Sequence, residues 1–211
     1  MARQRLLRHI YLFSAAATLA AGFGMYMGSS TASLNISMGS AYASLAFFVV
    51  TLVYGPWLVL HGRNPGISNY WRRDVGIWTA LLASVHVLFA LQHHVGGQFI
   101  YYFLAPPDMV SRFPLRLDAF GVSNWIGLAI TIEILMLLGL SSDRSMRWLG
   151  PKLWKRLQQT AYLLIFAIFL HGMVFHLKAE RKLIFIVLFF GGIAAICVLQ
   201  IAGLRRRRRG L

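Results

Sequence analysis

Apolar residues run through this chain in long stretches that alternate with short basic ones. About 20 apolar residues are enough to cross the ~30 Å hydrocarbon layer of a membrane. Backbone groups must be hydrogen-bonded within lipid, so stretches of this length are expected to be helices. We predict an all-α, polytopic membrane helix bundle with six transmembrane helices, at about Leu7–Met27, Gly39–Leu60, Val75–Val95, Val122–Leu140, Thr160–Leu177 and Leu183–Leu204.

Composition supports a single membrane domain over residues 1–211. The chain is 58% hydrophobic and only 13% charged, whereas about a quarter of the residues in a soluble domain are charged. No connection between spans is long enough for a soluble domain, and residues 205–211 form a short basic tail. The first span follows Arg3, Arg5 and Arg8, as a signal peptide also would. Its apolar stretch is longer than a typical signal core, although small residues around Ala20–Gly22 leave cleavage as an alternative.

The distribution of positive charge predicts the orientation. Lysine and arginine are retained on the cytoplasmic side of spans, and sixteen of the 21 fall on one side of the six-span topology. We therefore predict a bacterial inner-membrane protein with both termini in the cytoplasm. The five on the outer side are Arg112, Arg116, Lys178, Arg181 and Lys182.

The net charge of +15 follows from these clusters without a nucleic-acid partner. Every cytoplasmic cluster adjoins a span, where it sets orientation and attracts anionic lipid. An acidic cytoplasmic partner is the alternative that remains.

Three polar side chains stand within the spans, where polarity is costly in lipid: His86, Glu133 and His171. His86 is eleven residues beyond Val75 and His171 is eleven beyond Thr160, which places each about 17 Å from the inner end of its span. Spans three and five run in the same direction. The two imidazoles are therefore predicted to lie at one level, just past the middle of the bilayer.

Two neutral imidazoles facing each other across a helical bundle suit the axial positions of a b-type haem. The alternative is that each histidine is a hydrogen-bonding group between helices. Depth and spacing leave both interpretations open. The flanking residues that would leave room for a flat macrocycle, or pack around it, are Ala83, Ala90, Ala167, Phe89, Phe166 and Phe175.

The other polar groups near the spans are weaker indicators of function. His93, His94 and His176 lie at outer ends, and His93 is only about 10 Å beyond His86, too close for a second stacked macrocycle. We interpret these three as interfacial groups near haem propionates or an acceptor, or else as solvated histidines. For Glu133 we favour a hydrogen bond to a neighbouring helix over a proton or quinone site.

Two stretches resemble the ferric reductase-like transmembrane domain family. Arg72-Arg73-Asp74-Val75-Gly76-Ile77-Trp78, leading through small residues to His86, is similar to that family's third helix. Within the family the chain most resembles the MsrQ type, the haem-binding membrane subunits of periplasmic methionine sulfoxide reductase systems. The second stretch resembles the family's fourth-to-fifth connection and fifth helix through Leu140-Ser141-Ser142, Met146, Leu149-Gly150, Trp154, Leu157, Tyr162 and His171.

The resemblance implies a haem protein that passes electrons from a cytoplasmic flavin reductase, or from quinol, to a periplasmic redox protein. In the MsrQ type that acceptor is a molybdopterin enzyme that repairs oxidised methionines. By the same resemblance, His86 and His171 are the ligands of the haem iron, and Arg72, Arg73 and Trp154 lie at the cytoplasmic side.

The chain departs from the family at several positions. Gln158 stands where members carry a histidine thirteen residues before the haem ligand, and Met38 stands where the MsrQ type has another histidine. The outer loop Gly96–Gly121 is also longer. These departures favour one haem b over two.

We expect the site for the electron donor on the cytoplasmic side, where most of the basic residues lie. Arg72, Arg73, Lys155 and Arg156 would suit the phosphate of a flavin such as FMN, or a nearby quinone. No Gly-rich dinucleotide motif is present, so we expect an electron-transfer subunit rather than a self-contained enzyme. The alternatives are a quinol-linked or metal-linked cytochrome with a different acceptor, and a haem-free membrane scaffold or assembly subunit.

Overall fold

A computed structural model of the protein describes residues 2–64, 69–109, 113–178 and 181–209, without the side chains of Ala2, His94, Val95 and Lys178. Arg112, the Lys178 side chain and the last two residues of the tail, which entered the predictions above, lie outside it. Within these ranges the chain forms seven α-helices and two short 3₁₀ turns, His94–Gly97 and Phe99–Tyr102. The helices are α1 (Ala2–Met27), α2 (Ala32–Leu60), α3 (Tyr70–His93), α4 (Ala119–Leu140), α5 (Asp143–Gln159), α6 (Ala161–Lys178) and α7 (Leu183–Arg208).

Six of these helices are long and apolar enough to cross a membrane, so the predicted all-α, multi-pass bundle is confirmed. They are α1 to α4, α7 and the continuous stretch Asp143–Leu177, whose apolar part is α6. Large apolar side chains such as Leu88, Phe166 and Val198 are more than half exposed on them. Exposed apolar surface of this extent is expected where a helix faces lipid tails instead of water.

The connection between the fourth and fifth spans is helical, which the sequence pattern did not predict. It forms α5, which is polar and does not span. The Ser142 hydroxyl caps its first turn by accepting a hydrogen bond from the Ser145 amide at 3.0 Å. A bend follows at Gly150, whose φ of 72° is the left-handed conformation that glycine adopts readily. Trp148 is 84% exposed on this helix.

The second helix begins earlier than predicted. We expected it to start at Gly39, but it starts at Ala32 because polar residues of its first turns are satisfied within the protein. The Asn35 side chain accepts from the Ser29 amide at 2.9 Å and donates to the Ser29 carbonyl at 2.7 Å. Ser37 and Ser40 are buried against the rest of the bundle.

The start of α1, the start of α3 and the end of α7 meet at one end of the bundle, called the basic end below. Asp74 is fully buried there, and its carboxylate accepts hydrogen bonds from Arg8 at 2.6 Å and Arg5 at 3.2 Å. The next residue, Arg73, pairs with Asp143 at 2.5 Å. These ion pairs hold α1 and α5 against α3.

Candidate functional site

A cavity of about 330 Å³ lies among α2, α3, α4 and α6. We call it the histidine cavity, because both predicted haem ligands line it. Its wall residues that matter below are Ser37, Ala83, His86, Ala90, Gly127 and His171. The structure therefore brings His86 and His171, which are 85 residues apart in the sequence, to one cavity.

His86 is fixed by a serine of the neighbouring helix α2. Its ring Nδ1–H donates to the Ser37 backbone carbonyl at 3.0 Å. In return, the Ser37 hydroxyl donates to the His86 backbone carbonyl at 3.2 Å. Ser37 is only 2% exposed, so water does not compete for these bonds.

His171 has the same arrangement with α4. Its Nδ1–H donates to the Ser123 carbonyl at 2.8 Å, and the Ser123 hydroxyl donates to the His171 carbonyl at 3.1 Å. Gly127, one turn along α4, lies beneath the ring. A Cβ atom at position 127 would lie 2.9 Å from Cε1 of His171, so only glycine leaves the ring in this position.

The hydrogen bonds of the two histidines indicate which ring nitrogen could ligate a metal. A hydrogen bond from Nδ1 to a backbone carbonyl requires the proton on Nδ1, and in that tautomer Nε2 holds the lone pair. Iron-binding histidines are commonly oriented in this way, with the other ring nitrogen donating to a backbone carbonyl. The donor set therefore fits two axial ligands of a haem. The described residues contain no cluster of three or more His, Cys, Asp or Glu side chains that could hold another metal ion.

The flanking residues agree with the expectation only in part. Ala83, Ala90 and Phe175 line the cavity, where small side chains leave room for a flat group. Phe166 points away from it and is 67% exposed. Phe89 and Ala167 are not among its described lining residues.

The long connection before α4 closes the end of the cavity remote from the basic end. Tyr102 is buried, and its hydroxyl donates to the Ala90 carbonyl of α3. Arg116 holds the connection together by donating to the Tyr101 carbonyl at 2.8 Å and to the Asp118 carboxylate at 3.0 Å.

His176 belongs to the same cavity and is not a plain solvated histidine. Its Nδ1–H donates to the Gly172 carbonyl at 2.8 Å, and its Nε2 accepts from the Tyr42 hydroxyl at 2.9 Å. The ring stacks on Phe189 with 4.4 Å between centroids. His93 also lines the cavity, while the side chain of His94 lies outside the described residues.

A second cavity, of about 1030 Å³, opens at the basic end. We call it the basic cavity. Among its described lining residues there is no Asp or Glu, and the cations are Arg63, Arg72, Arg73, Lys155 and Arg207. Three residues, Phe48, Thr79 and Ile134, line both cavities. The two spaces are therefore separated by one layer of side chains.

The four predicted donor-site cations take different positions. Arg72 and Lys155 line the basic cavity, and burial, followed by the charges of Arg72 and Arg207, lowers the pKa of Lys155. Arg73 also lines it, but its guanidinium pairs with Asp143 and donates to the Ser141 carbonyl. Arg156 is exposed and does not line the cavity.

Other positions singled out in the sequence also have defined surroundings. Glu133 accepts a hydrogen bond from the Thr160 hydroxyl, just before α6, which is the contact that the favoured interpretation predicts. Gln158 lines the basic cavity, where its side-chain nitrogen is buried without a partner in the described chain. Met38 lines the histidine cavity. Trp154 is buried and donates to the Leu140 carbonyl at 2.8 Å.

Four residues of the site were not predicted from the sequence: Ser37, Ser123, Gly127 and Tyr42. The sequence does contain one sign of the serines, a similar spacing in the two pairs. Ser37 precedes His86 by 49 residues, and Ser123 precedes His171 by 48. Comparisons of the chain with protein families, with curated proteins and with solved structures found no match. The resemblance to the ferric reductase-like family therefore stays a prediction.

Proposed function

We propose that this protein is a b-type haem membrane subunit that carries electrons from a donor at the basic end to an acceptor at the opposite end. The observation that carries the proposal is that His86 and His171 line one cavity, each with its Nδ1–H bonded to a buried serine of the neighbouring helix. A haem bound between them would supply a one-electron carrier whose potential depends on its ligands and burial. The resemblance to the MsrQ type supports the same function.

The protein's contribution is orientation and exclusion of water. The serine carbonyls hold both imidazoles in the tautomer that offers Nε2, so little ordering is left to occur on binding. Gly127 keeps space beside the His171 ring. Towards the basic end, Phe48, Thr79 and Ile134 are the layer between the two cavities. A donor in the basic cavity would have this layer to cross.

The partners in this proposal follow from charge and resemblance. The basic end would face the cytoplasm of a bacterial inner membrane. Arg72 and Lys155 would hold the phosphate of FMN delivered by a flavin reductase, or stand beside a quinol. The acceptor would be a periplasmic redox protein, in the MsrQ manner a molybdopterin methionine sulfoxide reductase.

One observation favours a second candidate, a haem-free membrane scaffold. The Nδ1 hydrogen bonds of His86 and His171 are also what a structural histidine between helices makes. The same bonds therefore serve either function, and only the chemistry at Nε2 separates them.

The test is a reduced-minus-oxidised visible spectrum of the detergent-purified protein, with haem quantified per chain. We expect a sharp b-type α band and about one haem per chain, both lost in His86→Ala and His171→Ala. His61→Ala is the matched control, because His61 is bonded to the Trp57 carbonyl of its own helix at the basic end. A colourless protein from haem-replete cells would favour the scaffold.

A cytochrome with another acceptor would give the same spectrum. Reoxidation of the reduced protein separates these alternatives. A periplasmic methionine sulfoxide reductase should reoxidise the MsrQ-like subunit rapidly, whereas a metal-linked cytochrome would be reoxidised by ferric chelates and not by that enzyme.

A further inference from the structure

The histidine cavity has one permanently charged side chain among its described lining residues, Arg181. Arg181 lies just beyond α6, at the end of the bundle opposite the basic end. Its Nε is buried and has no hydrogen-bond partner within the described chain. Burial lowers the pKa of this guanidinium, which means that its surroundings do not fully compensate the charge. A partly buried cation of this kind is stabilised by an anion that accepts its hydrogen bonds.

The polar groups beside Arg181 are already committed. The Tyr42 hydroxyl donates to Nε2 of His176, and Nδ1–H of His176 donates to the Gly172 carbonyl. Arg181 lies close enough to Tyr42 for their charges to interact. The Tyr42–His176 pair therefore forms a fixed, neutral wall next to the guanidinium, and the pair contributes no negative charge to it.

The two ends of the cavity differ in what they offer a carboxylate. His176 is five residues beyond His171 on α6, so the Tyr42–His176 wall lies about 7.5 Å nearer the opposite end. Towards the basic end the wall is formed by Phe48, Thr79 and Ile134. None of these carries a charge, and the Thr79 hydroxyl already donates to the Val75 carbonyl.

A b-type haem is apolar over most of its surface and carries its two carboxylates on one edge. We infer that Arg181 is the anchor for those haem propionates, next to the Tyr42–His176 wall, so that the carboxylate edge faces the end remote from the basic cavity. The inference rests on the proposed haem function. A planar guanidinium suits a carboxylate because it can donate two parallel hydrogen bonds.

The experiment compares two porphyrins in protein prepared without haem: haem b, and haem b dimethyl ester, in which both carboxylates are esterified. Affinities are measured by spectroscopic titration for the wild type, Arg181→Gln and Lys182→Gln. Lys182 is the matched control, because its Nζ contacts the Tyr26 carbonyl and ring. We expect Arg181→Gln to weaken haem b about ten-fold and to leave the affinity for the ester unchanged. Lys182→Gln should change neither.

Two results would overturn the inference. In one, Arg181→Gln weakens haem b and its ester equally, which would give Arg181 a role in folding only. In the other, the substitution changes neither affinity. Failure of the wild type to bind either porphyrin would instead refute the proposed function itself. Wild-type binding of both with no selective loss in Arg181→Gln refutes the propionate anchor alone.

Discussion

The histidine cavity and the basic cavity share a wall, but their polar groups are satisfied in opposite ways. In the histidine cavity, both imidazoles are fixed by buried serines at hydrogen-bond distances of 2.8–3.2 Å. In the basic cavity, Arg72, Arg207 and Lys155 influence one another with no carboxylate among the described lining residues. Under the proposed function, the first cavity would hold a resident haem between two fixed imidazoles. The second is suited to an anion that binds and leaves.

The same contrast is visible along α3 and α6. The residue thirteen before His86 is Arg73, and the residue thirteen before His171 is Gln158. A second haem held by these two positions would need an iron ligand, such as an imidazole, at each of them. Arg73 is instead paired with Asp143, and the described lining of the basic cavity contains no histidine. One haem per chain is therefore what the two cavities together predict.

The largest effect that would sharpen this contrast is expected from Gly127→Ala. The added Cβ would lie 2.9 Å from Cε1 and 3.1 Å from Nδ1 of His171, so the ring must move. Overpacking of this kind costs about 1–3 kcal/mol, which corresponds to roughly 5- to 150-fold weaker haem binding. Haem per chain and titrated affinity are the measurements.

Gly139→Ala is the control for that substitution. Gly139 is on the same helix, and no atom lies within 4 Å of a Cβ placed there. Both substitutions raise helix propensity, so loss of haem in Gly127→Ala alone cannot come from a weakened α4. Equal haem content in the two variants would mean that the His171 ring position does not matter for binding.

A smaller effect is expected from the serines. Ser37→Ala and Ser123→Ala each remove a hydroxyl that donates to a histidine carbonyl, while the imidazole keeps its bond to the backbone. Loss of one hydrogen bond costs about 0.5–1.5 kcal/mol, so haem should bind roughly 2- to 12-fold more weakly. The two variants should behave alike because the two sites have matched geometry.

Ser84→Ala provides the comparison within the same cavity. The Ser84 hydroxyl donates to the Ala80 carbonyl of its own helix at 2.9 Å and holds no histidine. Haem titration should give the wild-type value for this variant. If Ser84→Ala weakened haem as much as Ser37→Ala, loss of cavity polarity and not histidine orientation would be the cause.

The smallest effect is expected at the basic cavity. Arg72→Gln and Lys155→Gln should slow haem reduction by a flavin reductase about three-fold, with no change in haem content, because a single partly exposed charge contributes about 1 kcal/mol or less. The effect should disappear at 1 M salt, where the Debye length is about 3 Å. Stopped-flow reduction rates at low and high salt are the measurement.

Arg156→Gln tests whether the electron donor binds within the basic cavity or at the outer surface of α5. Arg156 is exposed and lies outside the basic cavity, so it should have little influence on a donor that binds within. If Arg156→Gln slows reduction as much as Arg72→Gln does, electrons enter at the outer surface of α5, and the basic cavity is not the donor site.

The number of spans could be predicted because crossing lipid requires a minimum length of apolar residues. The meeting of His86 and His171 in one cavity could be anticipated because polar side chains within spans are costly in lipid and so need a partner. The start of α2 could not, since Asn35, Ser37 and Ser40 read as a polar connection until their partners are known. That error hid Ser37, which precedes the predicted start at Gly39. Helix α5 was missed for a related reason, because its polar sequence lacks the apolar run that marked the spans.

The sequence also could not predict which of two adjacent charged residues forms an ion pair. Arg72 and Arg73 are adjacent and chemically alike, yet their helical positions differ by about 100°. Arg72 therefore lines the basic cavity and makes no ion pair with the described residues of α5, while Arg73 is bound to Asp143. Only the packing of α5 against α3 separates the two roles.

The most direct test of the central claim is the electron paramagnetic resonance spectrum of the oxidised protein with His86→Gly and His171→Gly, each recorded with and without added imidazole. We predict a low-spin signal of two imidazole ligands in the wild type, its loss in both variants, and its return when free imidazole fills the vacated position. A low-spin signal that persists in either variant without imidazole, or a wild-type protein with no haem signal, would contradict the account.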